Sequence, residues 1–135
     1  MTCYRATVLV IEDDNEVALL LSAVLSEFGY KVVQAQDGVA ALVQIALDQP
    51  EVILCDLNLP KMPGSELLGI VRRQFPNILL IAMSGSPSES VPPEIIVDAF
   101  YEKGRAPGTL LDILGTLISR ESSRRKGTQG TQLAS

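Results

Sequence analysis

The segment "VILCDLNLPKMPG", residues 52 to 64, is the most informative part of the chain for the fold. Val52 to Cys55 form an apolar run that ends on a charge, Asp56, and a loop with two prolines follows. An apolar run of this length with turn signals behind it predicts a buried strand. Because burying a carboxylate is costly unless a partner compensates its charge, Asp56 at the end of such a strand predicts a site built with other residues.

Strand-like and helix-like segments alternate along the rest of the chain. Short apolar runs predict four further strands, at residues 7–11, 31–35, 78–85 and 100–103. Apolar residues at helical spacing predict helices at residues 15–30, 37–47, 65–75 and 107–119. Between the last two strands, "EIIVDAF" (residues 94–100) supplies a helix of about two turns at most.

Local signals also predict how the first two helices begin, end and face the core. Asp37 is the expected N-cap of the second helix, and Gly29 is the expected C-terminal stop of the first. The residues of the first helix expected at helical spacing on its core face are Val17, Leu20, Leu21, Val24 and Phe28.

Strands that are apolar throughout, each followed by a helix, predict a parallel sheet with helices on both faces. The expected fold is therefore an α/β, doubly wound, five-stranded (β/α)5 domain whose fourth helix is short or irregular. In such folds the ligand site lies beyond the carboxyl ends of the strands, where the strand order reverses.

Length and composition predict one domain over residues 1–120, followed by a flexible tail over residues 121–135 that is rich in Ser, Gly, Thr, Gln and Arg. Residues 1–119 carry seven Lys or Arg and fifteen Asp or Glu, a net charge of −8. That charge argues against direct nucleic-acid binding, because phosphate contacts need a basic face. No membrane-spanning run or secretion leader is visible, so we expect no membrane association and a cytoplasmic location.

Polar side chains stand at the carboxyl ends of four expected strands. They are Glu12, Asp13, Asp14, Asp56, Ser84 and Lys103. Because the carboxyl ends of parallel strands meet at one edge of a sheet, we expect these side chains to lie close together. Clustered carboxylates repel unless a cation intervenes, and oxygen ligands favour a hard cation such as Mg²⁺. The complete absence of histidine excludes nucleophilic systems that depend on this residue.

This arrangement resembles the receiver domain of bacterial two-component response regulators over about residues 6–119. The segments that carry the resemblance are "VLVIEDD", "CDLNLPKMPG", "IAMSG" and "FYEK". The resemblance implies the flavodoxin-like strand order, which a receiver domain exemplifies. It also implies a phosphoacceptor regulator rather than an enzyme, capable at most of self-catalysed phosphorylation from small donors and of autodephosphorylation.

The resemblance implies that Asp56 accepts a phosphoryl group from the phosphohistidine of a histidine kinase or a histidine phosphotransfer protein. Glu12 and Asp13 would then bind Mg²⁺ together with Asp56, and the backbone carbonyl of Asn58 would complete the ligands from the protein. The state of Asp56 would be passed to a partner or onward to another histidine.

The resemblance also implies a switch. Ser84 and Lys103 would hold the phosphoryl oxygens, and Phe100 would turn inward when Ser84 moves. The face made by the fourth helix, the fifth strand and the fifth helix would change, and an effector or a second copy would bind there. For the last helix, burial of its apolar arc is slightly favoured over a partner contact near Ile113.

Two alternatives stay open at this point. A pseudo-receiver would keep the fold as a phosphorylation-independent interaction module; Gly104, where the family usually has proline, and the reduced fourth helix favour it. An aspartyl-phosphate phosphatase of the haloacid dehalogenase type is disfavoured, because Asn58 stands where that class has an acid. We expect no output domain within residues 120–135, so the chain would be a stand-alone receiver or a receiver cut from a longer protein.

Overall fold

The computed structural model describes residues 3–86 and 89–134. The chain divides into two units, Met1–Arg105 and Ala106–Ser135. The first unit contains β1 Thr7–Ile11, α1 Asn15–Glu27, β2 Lys31–Ala35, α2 Gly38–Leu47, β3 Val52–Asp56, α3 Gly64–Gln74, β4 Leu79–Ser84 and β5 Ala99–Glu102. The second unit contains α4, Pro107–Ala134.

The five strands form one parallel sheet in the order β2-β1-β3-β4-β5. The chain leaves β1 toward one edge and returns past it to β3, so the strand order reverses between these two strands. Their register pairs Ile11 with Cys55, which brings the ends of β1 and β3 to the same edge. The predicted five-stranded parallel α/β fold is confirmed.

Helices α1 and α2 cover opposite faces of the sheet, because right-handed crossovers lead to β2 on one side and back to β3 on the other. Helices α2 and α3 bury Ala41, Ile45, Leu67, Leu68 and Val71 in one core cluster with Leu9, Ile11, Ile53, Cys55, Leu80 and Ala82 of the strands. The three central strands, β1, β3 and β4, are buried almost throughout, as their apolar runs predict, whereas the edge strands β2 and β5 are partly exposed.

Helix α1 begins and ends where local signals predict, but its buried face differs from the prediction. Its buried residues are Ala18, Leu21, Ser22 and Leu25. Leu20 and Phe28, expected in the core, are 60% and 50% exposed. Apolar residues run nearly all round this helix, so spacing alone does not select the core side. The hydroxyl of Ser22 accepts a hydrogen bond from Gln34 Nε2 of β2 (2.8 Å), which helps place a polar residue on the buried side.

The segment between β4 and β5 contains no helix among residues 89–98, although a short helix was predicted over residues 94–100. Val91, Ile95 and Val97 of this segment pack against the core cluster instead, and Ala99 already belongs to β5. Two of these contacts are two residues apart, the spacing of extended chain rather than of a helix.

Helix α4 continues to Ala134, so the backbone is helical beyond residue 120, where a flexible tail was predicted. No proline follows Pro107, and Arg124 pairs with Glu121 one turn earlier, at 2.8 Å, so the helix continues past residue 120 although Gly127 and Gly130 lower the helix propensity there. The boundary of the predicted domain at residue 120 stays a prediction. The helices in the described part of the chain are too short or too polar to span a bilayer.

Candidate functional site

An ion-paired cluster stands at the carboxyl edge of the sheet. Glu12 follows β1, Asp56 is the last residue of β3, and Lys103 follows β5. Lys103 Nζ lies 2.6 Å from Asp56 Oδ2 and 2.6 Å from Glu12 Oε1. Only the contact with Asp56 has hydrogen-bond geometry. Glu12 and Asp56 are buried, at 1% exposure each, so the lysine supplies the charge compensation that their burial demands.

Asp56 is held from both sides. Its Oδ2 accepts from Lys103, and its Oδ1 accepts a 3.0 Å hydrogen bond from the backbone N–H of Asn58. The loop behind it turns tightly, with Lys61 at φ +69°, and returns against the strand. A Cβ atom at Gly64 would lie 2.1 Å from the carbonyl oxygen of Asp56, so only glycine fits there without displacing the backbone.

Three carboxylates can offer oxygens to one cation. Oxygens of Glu12, Asp13 and Asp56 lie within 4.8 Å of one another, which among the described residues makes this a candidate metal group. An all-oxygen set with one exposed member suits Mg²⁺, which keeps several waters. Asp14 does not join them, because its Oδ1 caps α1 by accepting from the N–H groups of Glu16 (2.9 Å) and Val17 (3.3 Å).

The electrostatics of the cluster show in two pKa values. Burial, reinforced by the neighbouring Asp56, raises the pKa of Glu12 to about 7. For Lys103, burial lowers the pKa, but the neighbouring carboxylates of Asp56 and Glu12 outweigh this effect and the pKa is raised. Near neutral pH, burial of the Glu12 carboxyl group is therefore favoured either when it carries its proton or when a cation lies beside it.

Ser84 stands at the same edge as the cluster, whereas Phe100 lies near the start of β5, in register with Ala82. Ser84 ends β4, and its carbonyl oxygen accepts from the N–H of Lys103 at 2.8 Å. Phe100 lies in β5 and is 57% exposed, so its ring is outside the core. The backbone N–H of Asn58 donates to Asp56. The carbonyl oxygen of Asn58, expected as a metal ligand, takes part in none of the described contacts.

Sequence reasoning missed a residue that positions the lysine. The hydroxyl of Tyr101 donates to the carbonyl oxygen of Arg105 at 2.7 Å and closes the turn that follows β5. Within this turn Gly104 adopts φ +91°, a conformation that glycine accepts readily. Tyr101 carries no sequence signal for this role, because its partner is a backbone oxygen. Lys103 contacts the carboxylates of both Glu12 and Asp56 although Gly104, rather than a proline, follows it.

Comparison with known proteins is consistent with this geometry. The family model described as response regulator receiver domain matches residues 8–100. The chain is 27% identical over 133 residues to the probable transcriptional regulator ycf27 of Cyanophora paradoxa, covering 97% of this chain and 56% of that protein. It is 31% identical over 103 residues to the alkaline phosphatase synthesis transcriptional regulatory protein PhoP of Bacillus subtilis, covering 74% of this chain and 43% of that protein. The chain thus spans about half the length of these two relatives.

Among solved structures, the chemotaxis response regulator CheY4 of Vibrio cholerae superposes with a TM-score of 0.74 at 28% identity, covering 82% of this chain and 97% of that one. The chain belongs to the response regulator receiver domain family of two-component systems. Receiver domains are signalling regulators rather than enzymes in the usual sense, and they receive their signal from histidine kinases. The predicted family is confirmed.

Proposed function

We propose that Asp56 of this receiver domain accepts a phosphoryl group from the phosphohistidine of a histidine kinase or a histidine phosphotransfer protein. The observation that carries the proposal is the environment of Asp56. This carboxylate is buried at the end of β3. Lys103 Nζ lies 2.6 Å from one of its oxygens, and the backbone nitrogen of Asn58 lies 3.0 Å from the other. A buried, oriented carboxylate beside a cation can act as a nucleophile.

The proposed transfer is a simple displacement at phosphorus. One oxygen of Asp56 forms a bond to phosphorus while the phosphorus–nitrogen bond of the donor breaks and its electron pair stays with the imidazole. Lys103 stands where it can hold a phosphoryl oxygen after the transfer, since it already bonds to the acceptor. Positioning and charge compensation are the main demands of phosphoryl transfer.

Mg²⁺ is the proposed cofactor, held by Glu12, Asp13 and Asp56, and when bound it offsets the negative charge of the phosphoryl oxygens. Its fit rests on the chemistry of the three donors, which are all oxygen and lie within 4.8 Å of one another. We assign the backbone carbonyl of Asn58 as a further ligand on the resemblance to the family.

The proposed readout uses Ser84 and Phe100. Ser84 would move toward the phosphoryl group and Phe100, now exposed, would turn inward, so that a local charge change biases a two-state surface. Residues 89–98 form no helix, so the helix that was expected to share this surface is absent from it. The switch surface in this chain therefore centres on β5.

The test is the intact mass of the protein after incubation with acetyl phosphate, in Mg²⁺ and in EDTA. We expect a gain of one phosphoryl group that needs Mg²⁺, is lost in mild alkali and is absent in Asp56→Asn. Asp14→Asn is the matched control, because it removes a neighbouring charge while keeping an N-cap residue. Failure of the wild type to gain mass in Mg²⁺, or a gain in Asp56→Asn equal to that of the wild type, would refute the assignment.

A further inference from the structure

Helix α2 is apolar nearly all round. Its sequence, "GVAALVQIAL", has one polar side chain, that of Gln44. One side is buried in the core cluster through Ala41 and Ile45. On the other side Val39, Val43 and Leu47 are 56%, 53% and 76% exposed, and we name these three residues the α2 stripe. A helix that is apolar on all sides is normally covered on all sides.

We infer that a second copy of this chain covers the α2 stripe, through an antiparallel pairing of α2 with itself about a two-fold axis. This inference does not depend on phosphorylation of Asp56. The three residues are spaced four apart, with Val43 midway. A two-fold axis at Val43 therefore places Val43 against its own copy and Val39 against Leu47 of the second copy, so the stripe is complementary to itself.

Charge at the two ends of α2 supports the antiparallel direction. Lys61 stands at the N-terminal end, where its Nζ lies 3.2 Å from Asp37 Oδ2 and its side chain is 69% exposed. Asp48, the exposed C-cap, stands at the other end. Antiparallel pairing brings each Lys61 toward Asp48 of the other copy. It also makes the two helix dipoles point in opposite directions, which is electrostatically favourable. A parallel pairing would instead bring like charges together.

The loop that carries Lys61 makes a second contact with α2, so the charge of Lys61 is held beside this helix. A Cβ atom at Gly38 would lie 3.0 Å from Met62 Sδ, which shows how closely the loop approaches the start of the helix. The position of Lys61 at this end of α2 is thus set by packing as well as by its ion pair with Asp37.

The size of the stripe sets the strength of association. A helix of ten residues is about 15 Å long and offers less area than the roughly 1,200–2,000 Å² of a standard interface. We therefore expect a weak, reversible dimer, which must be sought at high protein concentration.

The first test is sedimentation velocity of the full chain from about 10 μM to about 1 mM, the range in which small interfaces associate. The weight-average mass should rise from 14.5 kDa toward twice that value. Val43→Asp should weaken association at least tenfold, and Leu20→Asp is the matched control, because Leu20 is exposed to a similar extent on α1. A wild type that stays monomeric at the highest concentration, or a control that loses association as fully as Val43→Asp, would overturn the inference.

The second test fixes the direction of the helices. In a Cys3→Ser background, Val39→Cys and Leu47→Cys proteins are oxidised separately and as a mixture, and intact mass distinguishes the products. Antiparallel pairing predicts a disulfide-linked heterodimer in the mixture and little homodimer in either single sample, since Val39 of the two copies would lie about 12 Å apart along the axis. Homodimers of each variant without an enriched heterodimer would refute antiparallel pairing.

Discussion

At the scale of single residues, Glu12 has the most perturbed acid–base behaviour of the site. It is buried at 1% exposure, and its pKa is raised from 4.5 to about 7 by burial and by Asp56. The folded protein therefore keeps the proton of Glu12 at pH values where the unfolded chain has released it. As a result, the contribution of Glu12 to the free energy of unfolding falls as the pH rises from about 4.5 to about 7.

We predict that Glu12→Gln removes this pH dependence. The free energy of unfolding of the wild type relative to the variant should fall between about pH 5 and about pH 8, by at most about 3 kcal/mol at ~1.4 kcal/mol per pKa unit. Urea titrations in metal-free buffer at several pH values measure it. A difference between the two proteins that does not change with pH would show that Glu12 titrates normally.

Gly64 is the second residue whose effect we can predict. A methyl group there would meet the carbonyl oxygen of Asp56 at 2.1 Å and Cα of Leu57 at 2.7 Å, and backbone cannot give way as a side chain can. We predict that Gly64→Ala lowers the free energy of unfolding by about 1–3 kcal/mol or more, in the range of overpacked cores.

The control for Gly64→Ala is Gly115→Ala in α4, where no atom lies within 4 Å of the added Cβ. That change should be neutral or stabilise by up to about 1 kcal/mol, because alanine favours a helix. Urea unfolding compares the two variants. Equal stability of Gly64→Ala and the wild type would mean that the loop after Asp56 tolerates a shift away from β3.

At the scale of elements, the side chain of Arg72 holds the segment before β5, in which a helix was predicted, against α3. Arg72 of α3 donates from Nε to the carbonyl oxygen of Ile96 (2.8 Å) and from Nη2 to Asp98 Oδ2 (2.9 Å). The same oxygen of Asp98 accepts the N–H of Leu80 at 2.8 Å. Further bonds from Nη1 reach the carbonyl oxygens of Pro76 and Ile78. The planar fork of arginine thus ties α3, β4 and the segment before β5 together.

We predict that Arg72→Lys loosens this segment, because an ammonium group cannot reproduce the fork. Hydrogen exchange of residues 91–98 should accelerate, and the free energy of unfolding should fall by about 1–3 kcal/mol. Arg73→Lys, at the exposed neighbouring position, is the control. In a double-mutant cycle with Asp98→Asn, a coupling energy near zero would show that the ion pair carries none of the effect.

At the scale of the whole molecule, we expect the acidic cluster to couple cation binding to folding. Three carboxylates lie close together, two of them paired with Lys103, and the unfolded chain does not assemble them. A cation that binds only the folded protein raises its stability, by about 2.7 kcal/mol at a hundredfold excess over the dissociation constant. We predict that Mg²⁺ raises the unfolding midpoint more than NaCl of equal ionic strength, and that Asp13→Asn removes most of this difference. Identical effects of the two salts on the wild type would argue against the metal site.

The sequence contained most of the information on the sheet and on the candidate site. Apolar runs located the strands, and parallel pairing is enough to bring Glu12, Asp56 and Lys103 to one edge. Asp14 shows the limit of that reasoning, because its side chain stands in the same acidic triplet and yet caps α1. Which oxygen of Asp56 each neighbour holds depends on loop geometry, to which no sequence pattern refers.

The sequence by itself determined the order of the elements and the parallel sheet, because apolar periodicity and helix caps act over a few neighbouring residues. The tertiary structure alone decided which side of α1 is buried, that α2 leaves an apolar side exposed, and that residues 89–98 form no helix. The physical reason is that these outcomes depend on contacts between residues distant in the chain. The bond from Arg72 to Asp98 spans 26 positions and helps hold the segment in a path that its local pattern does not predict.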